Sequence, residues 1–196
     1  MPVKPVYGLV LAGGESRRMG RDKALLIRDG QSQLAYLAAL LGKVTRRVFV
    51  SARSTQRQDA ERSRYDLIVD RYADIGPMAG ILSALEEHPD VDWLVVACDL
   101  PNVDEPTLRF LLEHRSAEKP FTAFRSSYDG LPEPLCAVYR SDSAAVLRQY
   151  VADGVVCPRK VLIRSDSELL EQPDPGALDN INTPDDLDRS VLGAGS

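Results

Sequence analysis

The chain has 196 residues, 44% of them hydrophobic and 27% charged, with a formal net charge of −5. That length fits one large α/β domain with a full core, and the acidic balance argues against nonspecific binding to nucleic acid. No apolar run approaches the ~18 residues of a membrane helix and no N-terminal stretch reads as a secretory leader, while Cys98, Cys136 and Cys157 suit packed free thiols, so the expectation is a cytoplasmic protein.

The apolar run at 6–11 reads as a buried strand that opens onto a loop. That loop is Leu11-Ala12-Gly13-Gly14-Glu15-Ser16-Arg17-Arg18-Met19-Gly20-Arg21-Asp22-Lys23. Paired glycines let backbone amides approach a ligand, and Arg17, Arg18, Arg21 and Lys23 add the positive charge that a polyphosphate requires. The spacing excludes two other phosphate loops. Five residues separate Gly14 from Gly20, where a P-loop needs four followed by Lys and Ser or Thr, and the adjacent Gly13 and Gly14 break the Gly-x-Gly-x-x-Gly dinucleotide pattern.

Residues 24–27 form a short apolar run that packs the loop back onto the core, ended by the turn signal Asp29-Gly30. Helical spacing over 32–41, stopped by Gly42, predicts a crossover helix leading to a parallel strand at 47–51 that ends at Ser51. The polar stretch 55–64 reads as an exposed helix, and 67–69 as a third strand ending at Asp70. Gly76-Pro77-Met78-Ala79-Gly80 opens a helix running to His88. A first-turn proline leaves no amide hydrogen unpaired, and the flanking glycines leave the backbone open to a base or ribose.

The continuous apolar run 93–98 predicts a central strand buried on both faces and ending in Asp99-Leu100-Pro101. Asp99 therefore emerges at the carboxyl edge, where open α/β sheets bind ligands, and its hard oxygens suit Mg²⁺. A helix from Asp104-Glu105-Pro106 to a solvated His114, strands at 121–125 and 133–139 around Asp129-Gly130, and an amphipathic helix over 142–150 follow. Arg159 and Lys160 read either as a solvated pair or as ligands of acceptor phosphates. In the run 179–187, Asn182 or Thr183, Pro184 and two aspartates mark a helix start, and 191–196 reads as a frayed tail.

In their order, these stretches resemble the nucleotidyltransferases that move a nucleoside monophosphate from a triphosphate onto a phosphate acceptor. Within them the chain is most similar to the molybdenum cofactor guanylyltransferases. The resemblance rests on Leu-Ala-Gly-Gly, Arg-Arg-Met-Gly and Asp-Lys in the first loop, Gly-Pro-x-Ala-Gly at 76–80, Asp99, Pro-Leu-x-Ala-x-Tyr at 134–139, and Asn-x-Asn-Thr-Pro at 180–184, covering about 6–187. It implies one Rossmann-like α/β/α domain of three layers with a mostly parallel mixed sheet. It also implies GTP on Leu11, Ala12, Gly13, Gly14, Lys23, Ser51, Asp70, Gly76, Pro77, Gly80 and Asp99, with Mg²⁺ or Mn²⁺ held by Asp99, and catalysis by Lys23, Asp99 and Arg18.

Glu133, Pro134, Asn180 and Asn182 would face the acceptor, molybdopterin or its molybdenum form. Ser51 stands where relatives carry Asn, and Glu133 where many carry His or Gln. The expected protein is a monomer that meets cofactor-delivery or acceptor proteins transiently and binds neither nucleic acid nor membrane. Three other readings stay open: a cytidylyltransferase for the same pterin, another small-acceptor nucleotidyltransferase, and a regulatory nucleotide-binding protein without turnover. Leu-Ala-Gly-Gly and Gly-Pro-x-Ala-Gly favour guanine over cytosine, and an intact Lys23 and Asp99 weigh against loss of turnover.

Overall fold

A computed structural model of the chain describes residues 4–14, 22–181 and 186. Strand β1 (Val6–Leu11) leads through a helical turn at Lys23–Leu25 and a minimal hairpin, β2 (Ile27–Arg28) and β3 (Gln31–Ser32), into α1 (Gln33–Gly42). The hairpin turns at Asp29 and Gly30, with φ of 48° and 79°, the doubly left-handed pair that a two-residue hairpin demands. Ser32 then caps α1, its hydroxyl accepting from Ala35 N at 3.0 Å. Next come β4 (Val48–Ala52), β5 (Asp66–Val69), α2 (Pro77–Glu87) and β6 (Asp92–Ala97). The remainder is α3 (Glu105–Glu113), β7 (Phe121–Arg125), β8 (Pro132–Tyr139), α4 (Ser143–Ala152), α5 (Pro158–Arg164) and β9 (Ser167–Leu170).

Seven strands form one sheet in the order β5-β4-β1-β6-β8-β7-β9. Pairing is parallel throughout except that β8 runs against both β6 and β7. Central strand β6 is buried along its whole length, as its unbroken apolar run requires. Its residues alternate between two cores: Leu94 and Val96 pack with Leu37, Leu41, Leu108 and Leu111 of α1 and α3, whereas Trp93 and Val95 pack with Ile81, Leu85, Leu147 and Leu162 of α2, α4 and α5. This is the three-layer α/β/α architecture with the mostly parallel mixed sheet.

Three local expectations are corrected. Residues 55–64 are no helix: they form helical turns at Ser54–Gln56 and Arg62–Arg64, and Arg62 is buried to 1% exposure rather than solvated. Of the run 24–27 only Ala24 enters the core, because Ile27 lies in the exposed hairpin. Cys98 and Cys136 are buried, but Cys157 is exposed at the start of α5. Val161 and Leu162 enter the core as part of α5. Arg18, Asn182, the helix start at Thr183-Pro184 and the tail 191–196 lie outside the described residues. No helix among those described is long and apolar enough to cross a membrane.

Candidate active site

The carboxyl ends of the parallel strands β1, β4, β5 and β6 open together onto a cleft of about 640 Å³. Every residue expected at the nucleotide lines it: Leu11, Ala12, Gly13 and Gly14 after β1, Lys23 on its turn, Ser51 in β4, Asp70 after β5, Gly76, Pro77 and Gly80 at the start of α2, and Asp99 after β6. Pro77 sits in the first turn of α2, and Gly76 precedes it with φ 58°, a conformation that excludes a side chain at low cost.

On one wall Ser51 Oγ donates to Asp70 Oδ1 at 3.0 Å. Ser51 is only 2% exposed, so its hydroxyl serves Asp70 first and the cleft second. A Cβ on Gly80 would overlap that hydroxyl, and one on Gly13 would stand 3.2 Å from Asp70 Oδ2. Both glycines are therefore set by this pair. Burial pushes the Asp70 carboxyl above the usual carboxylate range, opposed by the Ser51 hydrogen bond and by the charge of Arg53.

On the opposite wall Lys23 Nζ lies 3.7 Å from Asp99 Oδ2 and donates to the carbonyl of Ile181. Ile181 N in turn donates to Asp99 O at 2.9 Å, so the late segment 179–181 locks the lysine and the aspartate together. Burial raises the Asp99 carboxyl above its ordinary range, with Lys23 opposing. Asp99 Oδ1 is buried without a hydrogen-bond partner among the described residues. No three metal-ligating side chains converge among those residues. A lone carboxylate oxygen of this kind fits a hard divalent ion that keeps several waters and takes further oxygens from substrate phosphates.

A second cavity, of about 130 Å³, adjoins the first and shares Asp99 and Leu135 with it. It gathers Glu133, Pro134 and Asn180, three of the four residues expected to face the acceptor. The reversed direction of β8 explains this. Since Val96 pairs with Cys136, the residues that precede Cys136 run past the carboxyl end of β6 to the ligand edge. Arg159, at the start of α5, reaches the same cavity and bonds Glu133 Oε2 at 3.0 Å and Asp129 Oδ2 at 3.2 Å.

Sequence reasoning missed three features. Arg53 and Asp74 also line the cleft, Asp74 with φ 60° in the loop before α2. Arg53 stands two residues beyond Ser51 at a strand end, a position that could have drawn notice. Arg62 had no signal, since Arg57 and Arg64 flank it in the same charged run.

A glycine pair, a lysine and a strand-end aspartate around one cleft, with a second cavity sharing the aspartate, fit a nucleotide-binding α/β transferase. Residues 8–169 match the family model of the MobA-like NTP transferase domain. The chain belongs to that family and is a nucleotidyltransferase, a class that generally uses a divalent metal. It is 38% identical over 182 residues to a molybdenum cofactor biosynthesis bifunctional protein of Synechocystis, covering 93% of this chain and 52% of that one. The chain thus spans about half the length of that relative. A molybdenum cofactor guanylyltransferase of Pseudomonas aeruginosa is 35% identical over 189 residues, with 92% of each chain covered. Among solved structures, molybdopterin-guanine dinucleotide biosynthesis protein A of Archaeoglobus fulgidus superposes with a TM-score of 0.77 at 26% identity, covering 93% of this chain and 95% of that one.

Proposed function

We propose that the chain, acting as one domain, transfers GMP from GTP to the terminal phosphate of molybdopterin or its molybdenum form and releases pyrophosphate. The observation that carries this reading is the position of Asp99, on the boundary of both cavities. A donor triphosphate in the larger and an acceptor phosphate in the smaller would meet beside one carboxylate. The names of the relatives supply the identity of donor and acceptor.

Both reactants are anions, so charge neutralisation and alignment dominate the barrier. The acceptor phosphate attacks the α-phosphorus in line, and pyrophosphate leaves toward Gly13, Gly14 and Lys23, with Arg18, outside the described residues, the further cation expected to assist catalysis. Lys23 exchanges its contact with the Ile181 carbonyl for phosphate oxygens, and the loop amides hold the leaving group. Asp99 would hold Mg²⁺, or Mn²⁺ in its place, which when bound neutralises charge on the triphosphate. Ser51 positions Asp70 against the nucleoside. On the acceptor side, Glu133, Pro134 and Asn180 shape the cavity, Asn182 belongs to the same segment, and Arg159 answers the acceptor's phosphate. The expected setting is the cytoplasm, with a monomer that meets delivery and acceptor proteins transiently.

Calorimetric titration of GTP, CTP, ATP and UTP with Mg²⁺, on the wild type and Asp99→Ala, tests the donor and the metal ligand. Selective GTP binding that weakens in Asp99→Ala supports the assignment. Preference for CTP would transfer it to a cytidylyltransferase, and binding without pyrophosphate release in the presence of acceptor would leave a regulatory nucleotide binder.

A further inference from the structure

Arg62 is a whole guanidinium buried at 1% exposure, in a segment that touches neither phosphate nor pterin in the reading above. Its Nε and Nη2 both donate to the carbonyl of Ala12, at 3.0 and 2.6 Å. Nη2 also donates to Asp22 Oδ2 at 2.6 Å, and Nη1 lies 3.3 Å from Asp59 Oδ1. Asp59 Oδ1 accepts from the backbone N of Arg62 as well, at 3.0 Å, which holds the side chain at its root. Two carboxylates thus balance a charge that would be costly to bury alone.

The two groups it grips flank the phosphate loop. The Ala12 carbonyl belongs to the same planar trans peptide as the Gly13 amide, so fixing the oxygen aims the Gly13 N–H in the opposite direction. Asp22 accepts from Ala24 N through Oδ1 at 3.0 Å and so caps the turn that carries Lys23. We propose that Arg62 is the positioning residue of the triphosphate site, setting through Ala12 and Asp22 the distance and direction between the Gly13 amide and the Lys23 ammonium. Lysine cannot replace it. A point charge with three donors cannot meet one carbonyl twice and two carboxylates at once.

This inference rests on reading the cleft as a GTP site, and the test separates the two. Affinities for GTP and for GMP, each with Mg²⁺, are measured calorimetrically on wild type, Arg62→Lys and Arg62→Met, with melting temperatures alongside. The β- and γ-phosphates engage the loop while the nucleoside engages the Asp70 wall, so the ratio of GTP to GMP affinity isolates what Arg62 positions. Both variants should lower that ratio, Arg62→Met by roughly tenfold, the effect of misplacing one hydrogen bond to a charged group. If Arg62→Met fails to fold, Arg62→Lys decides. A wild-type ratio in folded variants, or an equal loss for both ligands, overturns the inference and leaves Arg62 as scaffold. A wild type that does not prefer GTP overturns the GTP reading, and this inference with it.

Discussion

Gly80→Ala inverts the usual sign of a helix substitution. In an open helix the added methyl would stabilise by about 1 kcal/mol. Here it would overlap Ser51 Oγ and approach Leu11 Cδ2 and Ser51 Cβ to 3.0 Å. Forcing atoms into a packed wall costs about 1–3 kcal/mol. Rotating the Ser51 hydroxyl away gives up its bond to Asp70, worth about 1 kcal/mol. The propensity gain offsets only part of this, leaving a net destabilisation of about 1–3 kcal/mol. Urea denaturation measures it through the shift in midpoint at constant slope. The partner of the clash is testable as well: in Ser51→Ala/Gly80→Ala the overlapping oxygen is gone, so the double variant should be more stable than the sum of the singles by about 1 kcal/mol. Strict additivity, or a Gly80→Ala protein at least as stable as wild type, would refute the close fit of α2 against β4.

Other outcomes follow from the same geometry. Lys23→Ala and Asp99→Ala should each lower turnover on the order of a hundredfold in a pyrophosphate-release assay, the first by removing a cation from the reacting phosphates and the second by removing the carboxylate that would hold the metal. Burial raises the Asp70 carboxyl, so the native state holds its proton more tightly than the unfolded chain does. Stability then falls as pH rises from about 4 to the raised value, and stays lower above it. Asp70→Asn is therefore expected to be more stable than wild type at pH 7, with a difference that closes below about pH 4 in denaturation curves taken across pH. Asp99 must ionise to hold a cation, and burial raises its carboxyl in the metal-free protein, so calorimetric Mg²⁺ affinity of the free protein should weaken on acidification at a higher pH than an ordinary carboxylate would give. Arg159→Ala should raise the acceptor KM roughly tenfold, the scale of one charge-assisted contact, while calorimetry shows an unchanged Kd for GTP.

The parts of the fold that the sequence made plain are those where one physical requirement dominates. The buried run of β6 admits nothing but a central strand, and Pro77 between two glycines announces the start of α2. Gly13, Gly14 and Lys23 were legible as cleft-lining residues because adjacent glycines directly follow a strand, while Arg17, Arg18 and Arg21 lie outside the described residues. What stayed hidden depends on partners far along the chain. Arg62 is indistinguishable from Arg64 by composition, yet Arg64 is exposed beside Glu61 whereas Arg62 is enclosed by Ala12, Asp22 and Asp59. Ser51 was expected at the nucleotide, where relatives carry Asn, and the structure gives its hydroxyl a prior engagement with Asp70. Arg159 carried two readings because its charge alone does not reveal that the reversed β8 brings Glu133 to meet it.

The lock between Lys23, Asp99 and Ile181 joins positions separated by 158 residues in the chain. Contacts of such long sequence separation are slow to form, because a large loop must close before they return any energy. While the protein is being synthesised, strands β1, β4, β5 and β6 can assemble the cleft well before residue 181 leaves the ribosome. Its lysine and aspartate acquire their shared anchor only after residue 181 has emerged. A nascent chain would then display the walls of the nucleotide cavity before residue 181 arrives to hold the resting lysine beside the aspartate.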